Sequence, residues 1–328
     1  MAGVKMTFRA AIRTALEEEM TRDKAVLVLG EDVGQAGGVF KVTEGLFKTF
    51  GSSRVIDTPI AENAMAGVAL GLALGGYRPV LEIMFSDFLP SAMDQIGNEI
   101  AKIRYVTGGE YCVPLVIRNA CGAAVGWAAY HSQCLESIFM NIPGLRIVVP
   151  STPSDAYGLL KTAIRDNNPT IFCEHKRLYT LDGEVEQGTT VPIGKARVLR
   201  EGKDVTIVAS MYMTRIAVEA AEKLAQENVD TEVIDPRTIK PLDKEGILDS
   251  VKKTGRLITV EENPRTGGWG AEVAAIVAER GLYSLKAPVK RVCVEDVPIP
   301  FSPSLEKAVV PDAERVVQAV KGLMAEEI

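Results

Sequence analysis

The chain has 328 residues, 47% of them hydrophobic and 24% charged, which supports two domains with apolar cores and excludes wholesale disorder. A formal net charge of -6 excludes a general affinity for nucleic acid or an anionic membrane. The N-terminus has no long apolar core, turns acidic at Glu17 to Glu19 and does not read as a secretory or transit segment; no apolar run reaches the length of a membrane span. The five cysteines are an odd number, widely spaced and without a C-x-x-C pair, so they read as packing residues of a reducing compartment. A cytoplasmic location is expected, with an organelle matrix as the alternative.

Taken in chain order, Thr7 can cap a helix whose Phe8, Ala11, Ile12, Ala15 and Leu16 form one stripe. Ala25 to Leu29 is a continuous apolar run, as expected for a strand buried on both faces of a parallel sheet. Further strands are expected at Pro79 to Phe85, Pro114 to Arg118, Leu145 to Val149 and Thr170 to Glu174. Helices are expected at Ala61 to Leu74, Pro90 to Val106, Cys134 to Asn141 and Ser154 to Arg165. The alternation predicts a doubly wound α/β domain over 1–180. Residues 181–202 have no clear period and read as a linker. A second α/β domain is expected over 203–328, with strands at Val205 to Ala209, Thr231 to Ile234, Leu257 to Val260 and Val289 to Val294. Its helices fit Thr214 to Glu227, Leu242 to Thr254, Ala271 to Gly281 and Asp312 to Met324.

The helix after Pro59 is poor in large side chains, and Gly67, Gly71 and Gly75 recur on one face. Each glycine costs about 1 kcal/mol against alanine, a loss that close approach of another backbone would explain. Glu62 in the first turn is either an ordinary acid favoured by the helix dipole in an internal helix, or a functional acid beside a subunit contact. An apolar setting would partly desolvate it and suit it to share a proton with a basic ring nitrogen.

Glu62-x4-Gly67-Val68-x-x-Gly71 resembles the glutamate-and-glycine motif of the pyrimidine-binding domain of thiamine diphosphate enzymes. The whole chain resembles the beta subunit of the 2-oxoacid dehydrogenase decarboxylating component, nearest the pyruvate dehydrogenase type. Gly30-Glu31-Asp32-Val33, Asp57-Thr58-Pro59-Ile60, Met93-Asp94-Gln95, His131-Ser132-Gln133, Pro143-Gly144-Leu145 and Ala163-Ile164-Arg165-Asp166-Asn167-Asn168-Pro169 carry that likeness.

The resemblance implies two α/β domains, a pyrimidine-binding one and a transketolase C-terminal-like one. It implies that Glu62 bonds the cofactor's aminopyrimidine, with Met84 and Phe88 packing around that ring, and that His131 lines the active-site mouth. There His131 would serve substrate carboxylate binding or acyl transfer to lipoyl. Potassium would be bound through main-chain oxygens of Leu115, Ala163, Asp166 and Asn168. A helix stop is the alternative for that segment.

The family's Gly-Asp-Gly diphosphate motif is absent. The resemblance then implies an alpha subunit that holds Mg2+ and diphosphate in a two-alpha two-beta heterotetramer. Further implied partners are the dihydrolipoyl acyltransferase core and its lipoyl domain. The expected activity is oxidative decarboxylation of a 2-oxoacid, pyruvate first, as an oxidoreductase with a lipoyl acceptor. The alternatives are an acetoin dehydrogenase or branched-chain 2-oxoacid dehydrogenase beta subunit, or a non-catalytic scaffold docking the acyltransferase core. Tyr130 and Trp127 depart from the family pattern beside His131. Arg265 to Glu272 is a rival anion loop, but its dinucleotide fingerprint fails at Val273 and a structural turn is the simpler reading. His175, among charges, is expected at the surface or a hinge.

Overall fold

The computed structural model describes residues 3–123 and 126–326 and separates into two compact units. The first comprises residues up to Cys121 together with Ile138–Ile193; the second comprises Gly122–Ser137 and everything from Gly194 onward.

In the first unit six parallel strands lie side by side in the order Arg146–Val148, Thr170–His175, Val116–Cys121, Arg78–Phe85, Val26–Gly30, Val55–Asp57. The central ones carry Val, Ile and Leu and are buried along almost their whole length, as a sheet covered on both faces requires. Helix Phe8–Arg22 starts where expected: Thr7 accepts a hydrogen bond from the Ala10 amide at 3.2 Å, and the expected stripe is buried. Helix Pro153–Arg165 is capped by Thr152.

The stretch expected as one helix over Pro90 to Val106 is instead three pieces. A 3-10 segment, Ser86–Ala92, contains Pro90; a π-helical segment follows at Gln95–Ile100, then an α-helix at Ala101–Val106. Proline lacks the amide donor that an α-helix interior would need there.

In the second unit the order is Lys290–Val294, Leu257–Pro264, Val205–Ala209, Thr231–Asp235, Arg197–Arg200. The first four strands are parallel and the last is antiparallel. Helices Met213–Ala225, Lys244–Thr254, Gly270–Arg280 and Ala313–Met324 accompany them, and the core is built on Val205, Ile207, Ile258, Val260, Ala217 and Val316.

The segment expected as a linker carries two short strands. Asp182–Val185 pairs antiparallel with Val4–Thr7, and Arg197–Arg200 joins the second sheet. Both are four-residue edge strands, half of whose residues are exposed, and they leave no apolar alternation to read. Among the described residues, no helix is long and apolar enough to cross a membrane.

Candidate active site

Glu62 is the first residue of helix Glu62–Leu74, just after the carboxyl end of strand Val55–Asp57. The turn is set by Pro59, and Ala61 offers no side-chain cap, so the only carboxylate at this helix start is Glu62 itself. It is half-buried.

A second acid lies at the same end of the sheet. Glu31 follows strand Val26–Gly30, is buried, and its Oε1 has no hydrogen-bond partner. Burial pushes its carboxyl above the usual range, and the charge of Glu62 raises it further, followed by Asp32 and Glu82. Glu82 is held by Arg118 at 2.6 Å. Acids at the carboxyl ends of parallel strands are where open α/β sheets place ligands. In the sequence, the signal for Glu31 is an acid placed directly after a fully apolar strand.

The helix bearing Glu62 packs against the strand bearing Met84 and the turn bearing Phe88. Both side chains are half-exposed rather than lost in the core, and the Phe88 ring meets Phe85 edge-on at 5.8 Å. A half-buried carboxylate, a neighbouring unpartnered carboxyl and a thioether and phenyl that stay accessible fit a basic heteroaromatic ring.

The glycine face does not pack inside this unit. An added Cβ would meet nothing within 4 Å at Gly71 and only the Gln95 amide at Gly67, while Val68 is exposed. The internal-helix reading of this stretch is therefore corrected.

His131 lies in the second unit, in the loop Gly122–Ser137. Ala124 and Val125 of that loop fall outside the described residues. Ala128 has φ 59°, the turn closes through the His131 amide to the Ala128 carbonyl, and the Trp127 ring lies 6.2 Å from the half-buried imidazole. Beside it a cavity of about 530 Å³ is lined by Tyr130, Ser132, Cys134, Glu262, Val294 and Ile299, among others. Ser132 is buried there with an unpartnered hydroxyl, which no sequence signal had indicated. Glu136 is buried in the same unit. Burial pushes its carboxyl up to about 8, against its own backbone amide; Glu261 and Glu262 add to the rise, and Asn263 opposes it.

The four carbonyls proposed for potassium lie around the end of helix Pro153–Arg165. Leu115 O accepts from the Thr170 amide and Ala163 O from the Asp166 amide, while Asp166 O accepts from the Arg78 guanidinium at 3.1 Å. Asn168 bonds the Asp166 carboxylate at 2.7 Å through both its amide and its side chain. The Arg78 guanidinium thus already faces the Ile164 and Asp166 carbonyls, as the negative helix end favours.

In the rival loop, the Gly270 amide at the helix start donates to Glu261 at 3.0 Å, which is the structural-turn arrangement. His175 is buried at a strand end, its Nδ1 accepting from the Arg177 amide, and so does not lie at the surface. The five cysteines are free, as expected.

Residues 4–182 match the model of the "Transketolase, pyrimidine binding domain", and residues 194–316 that of the "Transketolase, C-terminal domain". The chain is 48% identical to 2-oxoisovalerate dehydrogenase subunit beta of Bacillus subtilis, over 97% of this chain and 98% of the relative. It is 46% identical to the beta subunit of acetoin:2,6-dichlorophenolindophenol oxidoreductase of Cupriavidus necator, over 98% of each. It is also 46% identical to pyruvate dehydrogenase E1 component subunit beta of Rickettsia bellii, over 97% of this chain and 98% of the relative. Among solved structures it is similar to a split-gene transketolase described as an inactive beta4 tetramer, with TM-score 0.82 and 28% identity over 99% of this chain and 100% of that one. The chain belongs to the family of 2-oxoacid dehydrogenase E1 beta subunits, thiamine diphosphate-dependent proteins that join a transketolase-type pyrimidine-binding domain to a transketolase-type C-terminal domain.

Proposed function

We propose that this chain is the beta subunit of an oxidoreductase that decarboxylates a 2-oxoacid and passes the acyl group to lipoyl, and that it works only with an alpha subunit. Pyruvate is the first substrate to test, with 2-oxoisovalerate and acetoin as the alternatives that its relatives' names supply. The observation that carries this reading is Glu62, half-buried at the carboxyl end of the first sheet and electrostatically coupled to Glu31.

Thiamine diphosphate, when bound, supplies a thiazolium carbanion and an electron sink for loss of carbon dioxide. Glu62 would hold the N1′ proton of the aminopyrimidine, beside Glu31, whose carboxyl is raised by burial and by the charge of Glu62. Met84 and Phe88 would orient the ring and exclude water. His131 would bind the substrate carboxylate or assist acyl transfer; an imidazole beside a cavity suits a developing charge.

In this reading the alpha subunit holds Mg2+ and the diphosphate, and two alpha and two beta chains assemble. The open glycine face of helix Glu62–Leu74 is the subunit contact. The acyltransferase core docks on the assembled enzyme. Potassium would be bound through main-chain oxygens of Leu115, Ala163, Asp166 and Asn168. A cytoplasmic or matrix location accommodates both the bacterial and the mitochondrial relatives.

The test is co-production with the alpha subunit and decarboxylation assays on the three substrates. Glu62→Gln is expected to lower kcat by about 10²–10⁴-fold, the usual contribution of a positioned acid or base. Near-parental activity would show that Glu62 has another role. Tight binding of thiamine diphosphate by the beta chain alone would defeat the shared site.

A further inference from the structure

Helix Pro303–Val309 is built the wrong way round for an amphipathic surface helix. Leu305 is 57% exposed, while Glu306, at 6%, is the one buried residue of the helix. A carboxylate is costly to bury without a partner. Its Oε2 has one: the Gly126 amide donates to it at 2.8 Å. Gly126 has φ 80°, and a Cβ added there would come within 3.3 Å of the Phe301 carbonyl, so the backbone at this point presses against the connector leading into the helix. The next residue is Trp127, whose ring faces His131.

Other anchors hold the same loop. The Ala123 amide donates to Glu262, and Asn263 donates to the Cys134 carbonyl at 2.7 Å and pairs with Ser137 Oγ at 3.2 Å. Glu262 and Asn263 belong to strand Leu257–Pro264 and so to the frame of the second sheet. Glu306 does not. It stands on a short, largely exposed helix, and its Oε1 has no hydrogen-bond partner among the described residues.

We propose that Glu306 is a positioning residue for His131: its carboxylate clamps the loop at Gly126 and thereby fixes Trp127 and the imidazole beside it. The proposal rests on the reading of His131 given above. An amide–carboxylate bond is charge-assisted and roughly twice as strong as a neutral one. Freeing it would let the loop drift, and displacements near 1 Å are enough to cost about 10²-fold in rate.

The experiment uses the assembled alpha–beta enzyme with Glu306→Ala, Glu306→Gln, His131→Ala and the Glu306→Ala/His131→Ala double variant. Glu306→Ala is expected to lower kcat by about 10–100-fold. Glu306→Gln, whose amide oxygen can still accept the Gly126 N–H, should recover most of it. Because Glu306 acts through His131, the double variant should be no slower than His131→Ala alone. Hydrogen exchange of the 122–137 peptide should accelerate in Glu306→Ala and not in Glu306→Gln. Should the alanine variant fail to assemble, Glu306→Met, similar in length but without an acceptor, takes its place.

Multiplicative losses in the double variant, a parental kcat for Glu306→Ala, or unchanged exchange would each overturn the proposal. A His131→Ala enzyme of full activity would instead overturn the reading of His131, and the exchange measurement would still decide whether the clamp exists.

Discussion

Arg118 is enclosed in the first sheet between two carboxylates, Glu174 with bonds of 2.6 and 2.8 Å and Glu82 at 2.6 Å. Burial works against its charge, yet the two acids hold its pKa above the ordinary arginine value. Removing one member of such a group leaves uncompensated charge, so Arg118→Met is expected to cost about 3–5 kcal/mol in denaturant unfolding. A loss below about 1 kcal/mol, the range of exposed pairs, would contradict that account. Glu136 gives a pH-dependent counterpart. Burial pushes its folded carboxyl up to about 8 from an ordinary 4.5. Between these the native chain keeps a proton that the unfolded chain has lost, so this group's contribution to stability falls as pH rises through that window and levels off above it. Glu136→Gln should therefore gain stability relative to the parent between about pH 5 and pH 8. Parallel unfolding midpoints across that range would refute it. Glu62 was readable from sequence because proline, acid and glycine spacing are local. Glu31 and Glu306 were not, because their burial is created by strands and loops distant in the chain.

Helices with polar caps were the most legible elements. Thr7, Asp243 and Asp312 each accept an amide bond at a helix start close to the expected one. The stretch from Ser86 to Val106 defeated periodicity because three helical pitches share it. Edge strands at Val4–Thr7, Asp182–Val185 and Arg197–Arg200 were missed because their side chains are half or more exposed. The glycine face of helix Glu62–Leu74 was legible as a stripe, but whether it met this chain or another could not be read from spacing. Since Gly71 faces open space, Gly71→Ala should stabilise the isolated chain by about 0.5–1 kcal/mol. In the subunit-contact reading, the same change weakens association with partner chains. Thermal unfolding of the beta chain alone and sedimentation of the assembled enzyme separate the two effects, and unaltered assembly would argue against a contact there.

At the scale of the whole molecule, the chain divides into two compact units whose bounds differ from the expected 1–180 and 203–328. The loop of His131 is encoded within the first domain's stretch of sequence but folds as part of the second unit. A fragment ending at Ile193 would lack Glu262, Asn263 and Glu306. Chymotrypsin is expected to cut such a fragment at Trp127 and Tyr130 faster than it cuts the intact chain, as followed by mass spectrometry. Equal cleavage would mean that the loop does not depend on those anchors. The same arrangement constrains how genes of this family can recombine. A crossover placed between the domains would join a histidine loop from one parent to loop anchors from another. A working chimera is therefore expected to need Gly122–Ser137 to travel with the C-terminal half.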